Sequence, residues 1–234
     1  MMITYRLSAA VLPVVLCAAL CDAAVAQSFR VKVRARDDIY KAGQTPPVKQ
    51  NFGLGLIPPS VTLPAGTQCI TFKKVTGKDI CASSEGCITI DNNEPEGTHY
   101  NDPDGVGASP PTSSNTGSGS ISGITAPYAG YLVGLFTPPG GPSGSPPTAL
   151  DFTRGKGTAF KRLAPELDQT FFVGDGLTGD GTGATQKFSV PATATMLYLG
   201  ISDAPGFNGS PGAYLDNTGF FRVIVHARPN ACRG

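Results

Sequence analysis

The stretch that decides the fold is "SFRVKVRA", Ser28 to Ala35. Phe29, Val31 and Val33 alternate strictly with Arg30, Lys32 and Arg34. A period of two puts the apolar side chains on one face and the cations on the other, which predicts a strand with one side on a core and one in water. Similar short β-rich runs recur along the chain: "PSVTLPAG" (59–66), "QCITFKKV" (68–75), "CITI" (87–90), "GYLVGLF" (130–136), "TFFVG" (170–174), "QKFSVPA" (186–192), "TMLYLGI" (195–201) and "FFRVIVHA" (220–227). "GYLVGLF" and "TMLYLGI" are more continuously apolar, so they are predicted near the centre of a sheet. Only "GTAFKRLAPELD" (157–168) has a helical look, and Pro165 limits it to a turn or two. Short strands with no alternating helices predict an all-β chain, a β-sandwich of jelly-roll type.

Between the strands lie "GVGASPPTSSNTGSGS" (105–120) and "TPPGGPSGSPPTA" (137–149), whose Gly, Ser and Pro read as long flexible surface loops. Of 234 residues 30 are Gly and 21 Pro, while only 15% are charged; that is a chain of many turns. Eighteen Lys and Arg against seventeen Asp and Glu give a formal net charge of +1. So balanced a charge predicts no nucleic-acid partner, which would need a basic face.

The first 26 residues read as a secretory signal peptide: Arg6 in a short n-region, an apolar run over 9–21, and "AVA" ending at Ala26. The run is shorter than the ~20 apolar residues of a spanning helix. A lipoprotein anchor at Cys21 would want a small residue where Leu20 stands. The expectation is a secreted or periplasmic protein with residues 27–234 as a single β-sandwich domain and no membrane span. Cys69, Cys81, Cys87 and Cys232 then remain, an even number in an oxidising compartment, which predicts two disulfides. Four cysteines allow three pairings; the favoured one joins Cys81 to Cys87 locally and ties Cys69 to Cys232 near the chain end. No C-x-x-C spacing points to zinc, and His99 stands alone.

Enzymatic signatures are missing: no G-x-S-x-G, no H-E-x-x-H and no G-x-x-x-x-G-K-[ST] occur. Two histidines, His99 and His226, leave little scope for His-based acid–base chemistry, and His226 reads as structural or solvent-facing on its strand. The chain is therefore read as a binding protein and not an enzyme. Calcium chemistry fares better, because that ion takes six to eight oxygens from carboxylates, amides and carbonyls. "SDAPGFNGSPGAYLDNTG" (202–219) offers all three kinds, with Asp203 at its mouth and Asp216 and Asn217 at its exit. If the flanking strands pair as a hairpin, both ends meet at one sheet edge. The same residues also serve ordinary turns. "GDGLTGDGTG" (174–183) lacks the closing Glu of an EF-hand and reads as a Gly-rich turn, and "NDPDG" (101–105) is a sound turn sequence.

At these residues the chain resembles the calcium-dependent galactophilic lectins of the PA-I type and their exported bacterial relatives. The late loop carries the resemblance: Asp203, then Pro205-Gly206, Tyr214, Asp216-Asn217, Thr218-Gly219 and "FFRVIV". "VRARDDIYKAGQ" (33–44), "TLPAGTQCITF" (62–72) and "YNDPDG" (100–105) are similar to the family's first strand, second strand and acidic loop. Here "FNGSPG" (207–212) lengthens the late loop, Asp216 stands where the family has an amide, and no Trp is present. The resemblance implies calcium held by side chains of Asp203, Asp216 and Asn217 and by the backbone carbonyls of Ala213 and Leu63. It further implies a galactose-type carbohydrate partner completing the coordination with two hydroxyls, Asp102 at its edge, and a ring from Phe207, Tyr214 or Tyr100 against it. The rival expectation is a secreted structural or adhesive protein in which calcium only stabilises the loop; a second is a hydrolase with a carboxylate pair.

Overall fold

The computed structural model describes residues 1–2, 25–45, 55–81, 100–105, 112–179 and 181–232. The "CITI" run, His99, nearly all of the stretch expected to be a signal peptide and the Cys81–Cys87 pairing lie outside the described residues. The opening stretch forms β1 (Gln27–Arg34), and its alternation is kept: Val33 is fully buried, Phe29 and Val31 partly so, and Arg30, Lys32 and Arg34 are exposed. Beside it runs β16 (Asn217–Arg228), antiparallel, with Val31 opposite Val223. On its other edge β16 pairs with β3 (Cys69–Cys81), where Val225 faces Phe72 while Ile224 faces Lys74. The extra residue, Lys73, is a bulge that keeps both apolar sets turned inward. This sheet continues through β13 (Lys187–Ser189) to β9 (Arg162–Leu163), and β4 (Tyr100–Asn101) pairs with the far half of β3.

A second sheet has the order β10 (Thr170–Phe172), β7 (Leu132–Thr137), β14 (Met196–Ile201), β2 (Ser60–Thr62). The two most continuously apolar runs are its two central strands, as predicted. Every residue of β7 is buried, so neither face can spare an apolar side chain. The two sheets meet through phenylalanines. Phe136 stacks on Phe171 (5.1 Å between centroids), Phe171 meets Phe188 (5.3 Å), and Phe188 meets Phe72 edge-on (5.2 Å). The protein is an all-β sandwich; no helix among the described residues is long and apolar enough to cross a membrane.

A third sheet corrects the loop expectation for Ser113–Ser118. Ser113–Ser118 is β5, paired with β6 (Ile121–Ala126), which pairs in turn with β8 (Leu150–Asp151). β5 carries no apolar side chain to announce it; its place comes from backbone pairing and from Ser113 and Asn115, both buried. "GDGLTGDGTG" likewise folds into a small hairpin, β11 (Leu177–Gly179) and β12 (Thr182–Thr185). No helix forms over 157–168: Phe160 turns into the core and Arg162–Leu163 pairs with β13. Tertiary burial of Phe160 outweighs local helical preference. Cys69 and Cys232 are joined by a disulfide, with Cα atoms 5.1 Å apart.

Candidate functional site

The loop after β14 does not close a hairpin. β14 belongs to the second sheet and β16 to the first, where both edges of β16 are already taken by β1 and β3. The chain from Ser202 to Asp216 therefore crosses from one sheet to the other. Its two ends still meet, because the Asn217 amide (Nδ2) donates to Asp203 Oδ2 at 2.8 Å and to the Ala35 carbonyl at 3.3 Å. The Ala204 backbone N–H donates to Asp203 Oδ1 at 2.8 Å. The Asp203 carbonyl accepts from Asn115 Nδ2 at 2.8 Å and from the Gly212 N–H at 3.1 Å. Mid-loop, β15 (Asn208–Gly209) pairs in parallel with Ser114 and Asn115 of β5. The polar segment with no apolar pattern is thus the strut on which the loop rests.

Beneath the loop is a buried tyrosine layer. The Tyr214 hydroxyl accepts from the Asp203 N–H at 3.0 Å and donates to the Ile201 carbonyl at 3.1 Å. The Tyr40 hydroxyl lies 2.9 Å from Ser202 Oγ, and Tyr131 bonds Ser113 at 3.3 Å. Burial raises all three phenols; Tyr131 is pushed up to about 12. Gly55 packs against the Tyr214 ring so closely that a Cβ there would lie 2.9 Å from its Cγ and 2.7 Å from the Asp38 Cβ. Two of the three non-glycine residues with positive φ among the described ones, Phe207 (62°) and Ala213 (66°), lie in this loop. Each such position costs on the order of 1 kcal/mol and persists only where the surroundings dictate it.

Electrostatics sets Asp203 apart. Burial raises its carboxyl to about 7, against the bonds from Asn217 and Ala204, and the neighbouring carboxylates of Asp216 and Asp38 push the same way. Burial likewise raises Asp38 to about 6. Asp216 is raised by partial burial, although the residue is exposed. Among the described residues no Lys or Arg forms an ion pair with Asp203; the carboxylate pairs are Arg34–Asp37 and Arg154–Asp151. Asp203, half-buried beside two other carboxyls, has no ion pair of its own among the described residues, while the buried Lys41 acts on Asp38.

The structure brings Asp203, Asn217, Ala213, Tyr214 and Asp216 into one loop and leaves Leu63 out. The Leu63 N–H donates to the Thr195 carbonyl, at the opposite end of β14 from Ile201. Six residues of strand, roughly 20 Å, separate those ends. The backbone at the loop end is instead that of Gly55 and Leu56, which bonds Arg36 and Asp38. Tyr214 is wholly buried, so its ring offers no face to a sugar; it anchors the loop. Asn217 points its amide nitrogen, not its oxygen, at Asp203. The turn at Asp102 accepts the Asp104 N–H at 2.9 Å and bonds Leu132, beside the Ile201 end of β14, so Asp102 lies at the same end of the sandwich as Asp203. Tyr100 is on β4, and Phe207 is buried.

Calcium fits the two carboxylates in charge and chemistry, but not the full five-ligand set, and among the described residues no three His, Cys, Asp or Glu side chains form a metal-binding group. Asp38, Tyr40, Tyr131 and Asn115 are the partners that sequence reasoning missed. Their signal is weak: the Asp37–Asp38 pair reads as an ordinary strand end, and Asn115 sits in a polar tract. The comparisons with protein-family models, curated proteins and solved structures found no match for this chain.

Proposed function

We propose that this is an exported, calcium-dependent carbohydrate-binding protein of jelly-roll type, not an enzyme, with its site at the Asp203 end of the sandwich. The observation that supports the reading is the half-buried Asp203 carboxylate, raised to about 7 beside Asp38 and Asp216 and in no ion pair among the described residues. Asp203, Asp216 and the Ala213 carbonyl would hold the ion. Calcium would supply the missing positive charge and open positions for two neighbouring sugar hydroxyls of a galactose-type glycan. A second reading has its own observation. Tyr214 and Asn217 spend their hydrogen bonds tying the loop to itself and to the backbone of Ile201 and Ala35, an arrangement that suits a cation serving only as a clamp.

Calcium titration of the folded protein separates these. Calcium is expected to raise Tm by several degrees, because a ligand of the native state stabilises it by mass action. Asp203→Ala should abolish the shift, and Asp175→Ala, in the β11–β12 hairpin, should keep it. A glycan array with calcium and then with chelator completes the test. A shift without glycan binding leaves the clamp; no shift in the parent protein overturns both.

A further inference from the structure

The outer face of the first sheet carries charge that the chain's net balance conceals. β1, β16 and β3 turn Arg30, Lys32, Arg34, Lys74 and Arg222 to solvent, all exposed. β1 and β16 contain no Asp or Glu, and the one acid of β3, Asp79, stands opposite Gly219 near one end of the pairing. Of these cations Arg34 alone has a carboxylate partner in an ion pair among the described residues, Asp37 at 2.9 Å. His226, on the same face, accepts or donates at 3.1 Å to Ser28; burial holds its pKa down, and so do Lys73 and Arg228. Arg30, Lys32, Lys74 and Arg222 line a groove of about 340 Å³ with Thr76 and Ile224. Cations two residues apart on a strand are spaced about 6.6 Å, and neighbouring strands about 4.8 Å.

We infer that this groove binds an extended acidic polysaccharide, its sulfates or carboxylates taken by Arg30, Lys32, Lys74 and Arg222. Three features select that occupant. The cations line a groove, so a narrow chain reaches them better than a flat bilayer does. No large apolar side chain of this face is fully exposed to enter a membrane; those among the described residues are Met1, Met2, Val25 and Leu215, outside the three strands. Phe220, the phenyl ring on the face, is covered by Lys32 Nζ at 4.1 Å and by the Arg222 guanidinium at 4.5 Å, which denies a nucleic-acid strand that stacking platform. The groove is separate from the Asp203 loop and needs no calcium.

The test is retention on immobilised heparin and polygalacturonate in chelator at ~0.1 M salt, where charge contacts act over about 10 Å. The expected result is binding to at least one, weakening steeply with salt, with the two columns telling sulfate from carboxylate recognition. Arg30→Gln with Lys74→Gln, neither touching Phe220, should weaken it about tenfold or more, while Lys156→Gln with Lys161→Gln, exposed elsewhere, should not. Circular dichroism of each variant verifies folding. Lack of retention on both columns, equal retention of both variants, or equally tight binding to oligothymidylate or phosphatidylserine vesicles would overturn the inference.

Discussion

Asp203 has a carboxyl whose ionisation bears on folding. In the folded chain its carboxyl keeps its proton up to about 7, whereas the ordinary value is 3.8. Between those values the folded state binds more protons than the unfolded one, so stability from this group is present at low pH and lost as pH rises towards 7. Asp38, raised to about 6, acts in the same direction over the lower part of that window. One group contributes at most about 1.4 kcal/mol per pH unit. In chelator, Tm should fall between about pH 5 and pH 8, and Asp203→Asn should flatten that fall. Thermal melts of parent and variant at the two pH values decide it; identical slopes would remove Asp203 as the responsible residue. Calcium at the higher pH should restore the lost stability of the parent only, because it stands in for the proton.

At the scale of elements, the packing of β10 beside β7 in the second sheet rests on an absence. Gly134 of β7 lies opposite Phe171 in the register, and a Cβ there would come within 2.5 Å of the Phe171 ring. Phe171 is wholly buried between Phe136 and Phe188, so it has little room to retreat. Gly134→Ala should therefore destabilise the protein by about 1–3 kcal/mol, read from denaturant unfolding, the usual cost of overpacking a filled core. An unchanged midpoint would mean that the ring shifts freely. This element also marks what sequence can tell. β1, β7, β14 and β16 were legible because their apolar residues obey a period of two or run continuously, and burial rewards both patterns. β5 and β15 were not, because their Ser, Asn, Thr and Gly are held by hydrogen bonds between β5 and the late loop, and such bonds leave no periodic trace. The loop's acids and amides stood out, but not its route between sheets, which depends on which strand edges are already taken. The tyrosine layer was hidden for a further reason: Tyr40 meets Ser202 across 162 residues.

For the whole molecule, the strongest single constraint is covalent. The Cys69–Cys232 bridge closes a separation of 163 residues, which the chain-entropy view converts to about 5 kcal/mol, with measured effects commonly nearer 2–4. Reduction, or Cys232→Ser, should lower the unfolding free energy by about 2–5 kcal/mol while leaving far-UV circular dichroism β-rich. A loss below about 0.5 kcal/mol would show that the end of β16 is held by pairing alone. That strand has a further consequence, in the order of biosynthesis. The sheet neighbour of β1 is β16, and Gln27 pairs with Ala227. A ribosome delivers β1 long before its partner, so a nascent chain carries β1 with its ladder unfilled until β16 emerges. Long-range pairing of this kind folds slowly. Elongation pauses or holdase chaperones would act on an incomplete sheet, and assembly of the first sheet waits for β16 to be made.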